Sequence, residues 1–270
     1  MFGRLQWYIN YLTSDPLGFL LYVLYFSVTV LLSLILHEIS HGYVAFRCGD
    51  PTAKWMGRLS LDPRKHLDPI GTICMVFLGF GWAKPVPVNP RNFHNYRRDD
   101  FLVSVAGICM NLSLFILCAA LSVGINRLMW TEEFYQYLRS TSGNMLLALD
   151  PYQYSIAYRL EYGMVTTDMV SFMARPWLQY VQRFLLMMGQ INLSLAVFNL
   201  IPIPPLDGYH LVNDTILKGK LQLDRKKFQI AQIVLLVVCL SGALTSVLTW
   251  ANETIYSAVL HLFLLMTGAA

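Results

Sequence analysis

The sequence predicts an all-α polytopic membrane protein. It should have about five to six transmembrane helices, a re-entrant segment and a small β element near a site on the cytoplasmic side. Three observations lead there. Of the 270 residues, 56% are hydrophobic and only 13% charged, about half the usual globular share. The mean hydropathy is +0.48. Several uncharged runs reach the roughly 20 residues needed to cross about 30 Å of hydrocarbon.

Leu17–Leu36 contains no Lys, Arg, Asp or Glu. It is too long for the apolar part of a signal peptide and no small-residue cleavage site follows it. Ile70–Gly81 is short for a span and reads as re-entrant or interfacial. Trp82–Pro90 alternates like a strand, with proline at 85, 87 and 90. Proline confines such a stretch to a sheet edge. It is either a rigid rim loop or an edge open to strand addition. Phe101–Gly124 and Phe228–Trp250 are of span length. Phe184–Ile201 is near the lower limit, and Thr254–Ala270 is shorter but uncharged.

Charge placement orients these segments. Residues 42–100 hold nine Lys and Arg, and residues 202–227 hold five more. The stretch 125–183 has five Arg, no Lys and five acids. The positive-inside rule puts the first two in the cytoplasm and the third outside. With Ile70–Gly81 re-entrant, five spans leave the N-terminus outside and the C-terminus inside. Interspersed acids and flanking spans make the basic stretches a membrane face rather than a nucleic-acid surface. Residues 1–270 form one domain carrying 125–183 as an extracytoplasmic insertion, whose tyrosines read as interfacial anchors. Cys48, Cys74, Cys109, Cys118 and Cys239 form no CxxC pair, so neither a disulfide framework nor a thiolate site is expected.

The uncharged first span ends in His37, Glu38 and His41. Histidines four apart project from one helix face, where two imidazoles can hold one Zn²⁺ at about 2.0–2.1 Å. Glu38 points about 100° away, which suits a general base. Ionisable groups inside a span cost on the order of 2.5–3.5 kcal/mol each and need a reason. Zinc in a catalytic site usually takes a third protein ligand. "FNLIPIPPLDGYH", Phe198 to His210, offers Asp207 after prolines that break a span, with His210 and Asp214 as rivals. Asp207 could instead cap a short helix near Gly208–Leu217. By the topology above, His37, His41 and Asp207 all lie near cytoplasmic ends of spans. His66 and His94, in basic loops, are expected at solvated surface. His261 is expected as an interhelical hydrogen-bonder, and Asp68–Pro69 as a turn.

Three motifs, "HEISHGYVAFRCGDPTAKWMGRLSLDPRKHLDPIGT", "GWAKPVPVNPRNF" and "FNLIPIPPLDG", resemble the site-2 protease family of intramembrane zinc metalloproteases. The likeness covers residues 33–115 and 190–215 and is nearest to compact bacterial members without a PDZ domain. The resemblance implies one Zn²⁺ held by His37, His41 and Asp207, with Glu38 as catalytic base. It also implies protein substrates cleaved in or near their transmembrane segments, at a bacterial cytoplasmic membrane. The family's Ala-Gly-Pro run reads Ala106-Gly107-Ile108 here, followed by Asn111.

Asn111 and Asn199 are neutral amides inside apolar spans. Each suits either an oxyanion donor or an interhelical hydrogen bond. A metal-ion transporter is the competing reading, although transporters usually show paired halves and this chain has one histidine pair. A non-catalytic zinc-binding adaptor is the other.

Overall fold

The computed structural model describes residues 2–69, 71, 83–142, 166–218, 220–221 and 223–266. Helix α1 is Phe2–Ser14 and α2 is Pro16–Arg47. Asp15 separates them, and its Oδ1 accepts from the Gly18 N–H at 2.9 Å. An acceptor there satisfies a free helix-start donor, and Pro16 follows in the first turn where a missing N–H costs nothing. α2 runs 32 residues without a break. The apolar run of Leu17–Leu36 and the His37–His41 motif are thus one helix. Helix α3 is Thr52–Trp55, and α4 is Tyr96–Met129, 34 residues long. It continues straight through Ile108, where a proline would have removed an N–H.

Helices α5 (Glu132–Ser142), α6 (Thr167–Ser171) and α7 (Leu178–Asn199) follow. α8 is Asp207–Thr215, α9 Arg225–Ser241 and α10 Thr245–Met266. Among the described residues three helices are long and apolar enough to cross a membrane, α2, Tyr96–Asn126 of α4, and α7.

Three expectations change. Phe228–Trp250 is not one helix, because Gly242 adopts φ 74 and ends α9, its N–H returning to the Cys239 carbonyl. A left-handed C-terminal glycine is a common helix stop. The β element reduces, among the described residues, to an isolated antiparallel bridge between Leu67 and Ala83. Trp82, Cys74 and nearly all of Ile70–Gly81 lie outside the described residues, as does 143–165 of the insertion. His66 is not at the surface: it is 1% exposed, and its Nε2 donates to the Ser60 carbonyl at 2.8 Å. His94 is exposed, and the Asp68 carboxylate accepts from the Gly71 N–H at 2.8 Å, as a turn requires.

The chain forms two compact units. One comprises Met1–Val30, Leu114–Ile191 and Glu253–Ala270. In it Met129, Trp130, Phe134, Met173, Leu178 and Leu186 make a buried core, so the described flanks of the 125–183 insertion fold onto themselves. Tyr135 donates to the Asn126 carbonyl at 2.9 Å, and Tyr137 stacks on Phe172. Both tyrosines have partners within the fold.

The other unit is Leu31–Ser113 with Asn192–Asn252. The end of α2 is tied to the extended stretch before α4 through Asp50, which is fully buried. Its carboxylate accepts from the Asn89 N–H at 2.7 Å, the Asn92 amide at 2.8 Å and both donors of Thr52. A buried carboxylate needs such donors to offset its lost hydration. Lys84 donates its N–H to the His66 carbonyl at 2.8 Å and accepts from Arg58 Nη2 at 2.7 Å.

Candidate metal centre

His37 and His41 lie one turn apart on α2, 6% and 9% exposed. Their Nε2 atoms are 3.0 Å apart. Asp207 stands at the first position of α8 and Leu206 at its N-cap. The Asp207 carboxylate therefore does not cap the helix; it turns to α2. Its Oδ2 lies 3.4 Å from both imidazole Nε2 atoms and is buried with no hydrogen-bond partner. Ligands about 2.1 Å from a tetrahedral zinc are about 3.4 Å apart. The two His–Asp separations match that spacing, and the His–His one is slightly tighter. A buried carboxylate oxygen without a donor, facing two imidazole nitrogens, is the chemistry a zinc ion satisfies.

The tautomers follow from the outer partners. His41 Nδ1 lies 2.7 Å from the Val103 carbonyl, which only accepts, so Nδ1 carries the proton and Nε2 keeps its lone pair. His37 Nδ1 meets the amide of Asn111 at 3.1 Å through Nδ2, leaving the fully buried Asn111 Oδ1 without a partner. The two ends of an amide are nearly isosteric. Turned over, Oδ1 accepts the Nδ1–H of a His37 whose Nε2 faces inward. Between Val103 and Asn111 sits Gly107, where a Cβ would lie 2.4 Å from His37 Cε1 and His41 Nε2. The backbone of α4 thus presses directly on the imidazole pair.

Glu38 Oε2 accepts from the Val86 N–H at 2.7 Å. This anchors the carboxylate to the extended stretch 83–89. Asn199 Nδ2 donates to the Leu195 carbonyl of its own helix at 3.0 Å. Gly208 lets α8 start where it does, since a Cβ there would stand 2.3 Å from the Leu200 carbonyl oxygen.

His210 and Asp214, the rival ligands, form a second cluster with Asp100 of α4. His210 Nδ1 lies 3.3 Å from Asp100 Oδ2. The hydrogen bond to Asp100 holds the His210 imidazole above its usual pKa, against the opposing effect of burial. Burial, with the neighbouring Asp100 carboxyl, pushes the Asp214 carboxyl up to about 6. Sequence reasoning missed Asp100. It stands in an acidic pair at the mouth of a span, and nothing in its local pattern connects it to a residue 110 positions away.

Two imidazoles and an adjacent glutamate on the membrane-spanning α2, with an aspartate carboxylate from the short α8, make a donor set of zinc metallopeptidase type. The chain belongs to Peptidase family M50, whose profile matches residues 25–242. It is a zinc metalloprotease of the site-2 protease type and an integral membrane protein, and its cofactor is zinc. Its relatives include proteins named "Putative zinc metalloprotease". YwhC of Bacillus subtilis is 37% identical over 195 residues, covering 72% of this chain and 70% of that protein. Rip2 of Mycobacterium tuberculosis is 33% identical over 124 residues, covering 44% and 47%. No solved structure matches.

Proposed function

We propose that the protein hydrolyses peptide bonds within or near transmembrane segments of membrane-protein substrates, with its active site toward the cytoplasmic side of a bacterial inner membrane. The observation that carries this reading is the convergence of His37, His41 and Asp207 at 3.0–3.4 Å in a chain whose long helices are of membrane-spanning type.

In this reading His37 and His41 Nε2 and Asp207 Oδ2 hold the zinc. Bound there, zinc supplies Lewis-acid activation of water and of the scissile carbonyl. Glu38, one Oε2 lone pair occupied by the Val86 N–H, offers its other oxygen to the attacking water. It takes that water's proton and later gives it to the departing amine, a general-base and general-acid role worth about 10²–10⁴-fold. Val103 and Asn111 hold the imidazoles in the tautomer the metal needs. Asn111 faces His37, so it serves as a positioning residue here rather than an oxyanion donor, and Asn199 is assigned no direct contact with substrate.

The test uses purified protein in proteoliposomes with a single-span reporter, with and without chelator. Wild type should cleave, and chelator should stop it. Glu38→Gln should keep its zinc and lose at least about 100-fold in rate. Undiminished cleavage by that variant would overturn the assignment.

A further inference from the structure

We propose that Asp100 is a positioning residue for the metal centre: through His210 it fixes the rotation of α8 and so aims Asp207 at the imidazole pair. The proposal rests on the reading of Asp207 as a zinc ligand. α8 has nine residues, little more than two turns. Its N-terminal end is located by the close approach of Gly208 to Leu200. Contact at one end sets where a short helix begins, but leaves its rotation about its own axis to other contacts. Asp207, His210 and Asp214 are spaced i, i+3 and i+7, so they form one stripe. Asp207 at the head of that stripe meets His37 and His41. His210, a turn further on, meets Asp100 Oδ2 at 3.3 Å.

The receiving surface is equally ordered. On α4, Asp100, Val103, Gly107 and Asn111 recur at three- and four-residue steps and share a face. Val103 holds His41, Gly107 packs on both imidazoles, and Asn111 holds His37. Asp100 extends the same stripe by one turn and holds the helix of the third ligand. All three proposed ligands are thus referred to one rigid element. Asp100 is 8% exposed, a burial that makes loss of its partner costly. The opposite side of α8 is tied to a loop, through Tyr209 Oη donating to the Leu221 carbonyl at 2.8 Å and Leu221 N–H donating to Asn213 Oδ1 at 3.1 Å. A carboxylate oxygen stands roughly 5 Å from its helix axis. A 20° rotation of α8 would carry it about 1.7 Å, enough to take Asp207 out of reach of the ion.

The experiment measures zinc affinity by competition with a chromophoric chelator, and the visible ligand-field spectrum of the Co²⁺-substituted protein. The variants are Asp100→Ala, His210→Ala, the double variant, Asp100→Asn and Asp207→Asn, in the full-length purified chain. Asp100→Ala and His210→Ala should each bind zinc about 10- to 100-fold more weakly and shift the Co²⁺ spectrum. The double variant should be no worse than either single one. Asp100→Asn, which can still accept from His210, should recover most of the affinity and the spectrum. Unchanged affinity and spectrum in the alanine variants would overturn the proposal, and so would additive losses in the double variant. A second metal equivalent in wild type, lost in Asp100→Asn, would also overturn it by making the cluster a metal site. Asp207→Asn separates this inference from its premise. If that variant also binds zinc normally, the ligand reading fails; if it alone weakens binding, only the role of Asp100 fails.

Discussion

Gly107 shows how much of the site depends on one missing atom. A methyl group there would stand 2.4 Å from both imidazoles, closer than any stable carbon contact, and the obstacle is the metal-binding pair itself. Gly107→Ala is expected to lower zinc content after gel filtration and to reduce zinc affinity by about 100-fold, with helix content unchanged. Alanine is itself a good helix former, so loss of metal in a folded variant would be specific to the collision. His37, Glu38 and His41 were legible in the sequence because their relation is local, a turn of one helix. Gly107 was visible only as part of a resemblance. Its physical reason depends on a neighbouring helix 66 to 70 residues away in the chain. Asn111 could not be told from an oxyanion donor by its sequence, since a buried amide in a span looks the same whichever group it faces. His66 was misjudged because its loop is basic, while the buried ring is held by the Ser60 carbonyl.

At the scale of elements, the contact between α8 and α4 carries a pH signature. Asp214, outside the spans, has its carboxyl raised to about 6 by burial and by Asp100, with His210 and Arg97 acting the other way. A carboxyl raised above its unfolded value favours the folded state while protonated. That stabilisation is complete below the unfolded pKa of about 3.9 and is lost as pH rises through about 6. Asp214→Asn mimics the protonated form at every pH. Its Tm should therefore match that of wild type near pH 5 and exceed it by pH 8. A thermal-shift series in detergent checks the sign, and a gap that closes as pH rises would contradict it. The helices themselves were partly readable. Long uncharged runs gave α2, α4 and α7, because apolar length is a property of one segment. The boundary at Gly242 was not foreseen, since a glycine within a long apolar run is a weak signal until its backbone is known to be left-handed. α1 was missed because Phe2–Ser14 is short and carries Arg4 and several polar residues.

For the whole molecule, the proposed ligands join distant parts of the chain: His37 and His41 on α2, Asp207 on α8. An ion held by both crosslinks the fold and stabilises it by mass action. Zinc at 100 times its Kd adds about 2.7 kcal/mol, which for a chain near this size is roughly 5–10 °C in Tm. Chelation should lower the Tm by about that amount, and readdition of zinc should restore it. The drop should be absent in Asp207→Asn, which starts from the lower value. The residue pattern alone left Asp207 open between ligand and cap, and only the family resemblance chose ligand, because the choice depends on where α8 points. That direction is a tertiary property, set by the Gly208 approach and by the face of α4.

Glu38 and Val86 are joined by one short bond across 48 positions of sequence. Any displacement of the extended stretch around Val86, such as the making of room for an incoming chain, must either break that bond or swing the glutamate with it. Were a chain to enter past this stretch, its passage and the readiness of the base would be mechanically geared, and a loosened stretch would leave the proton acceptor out of place.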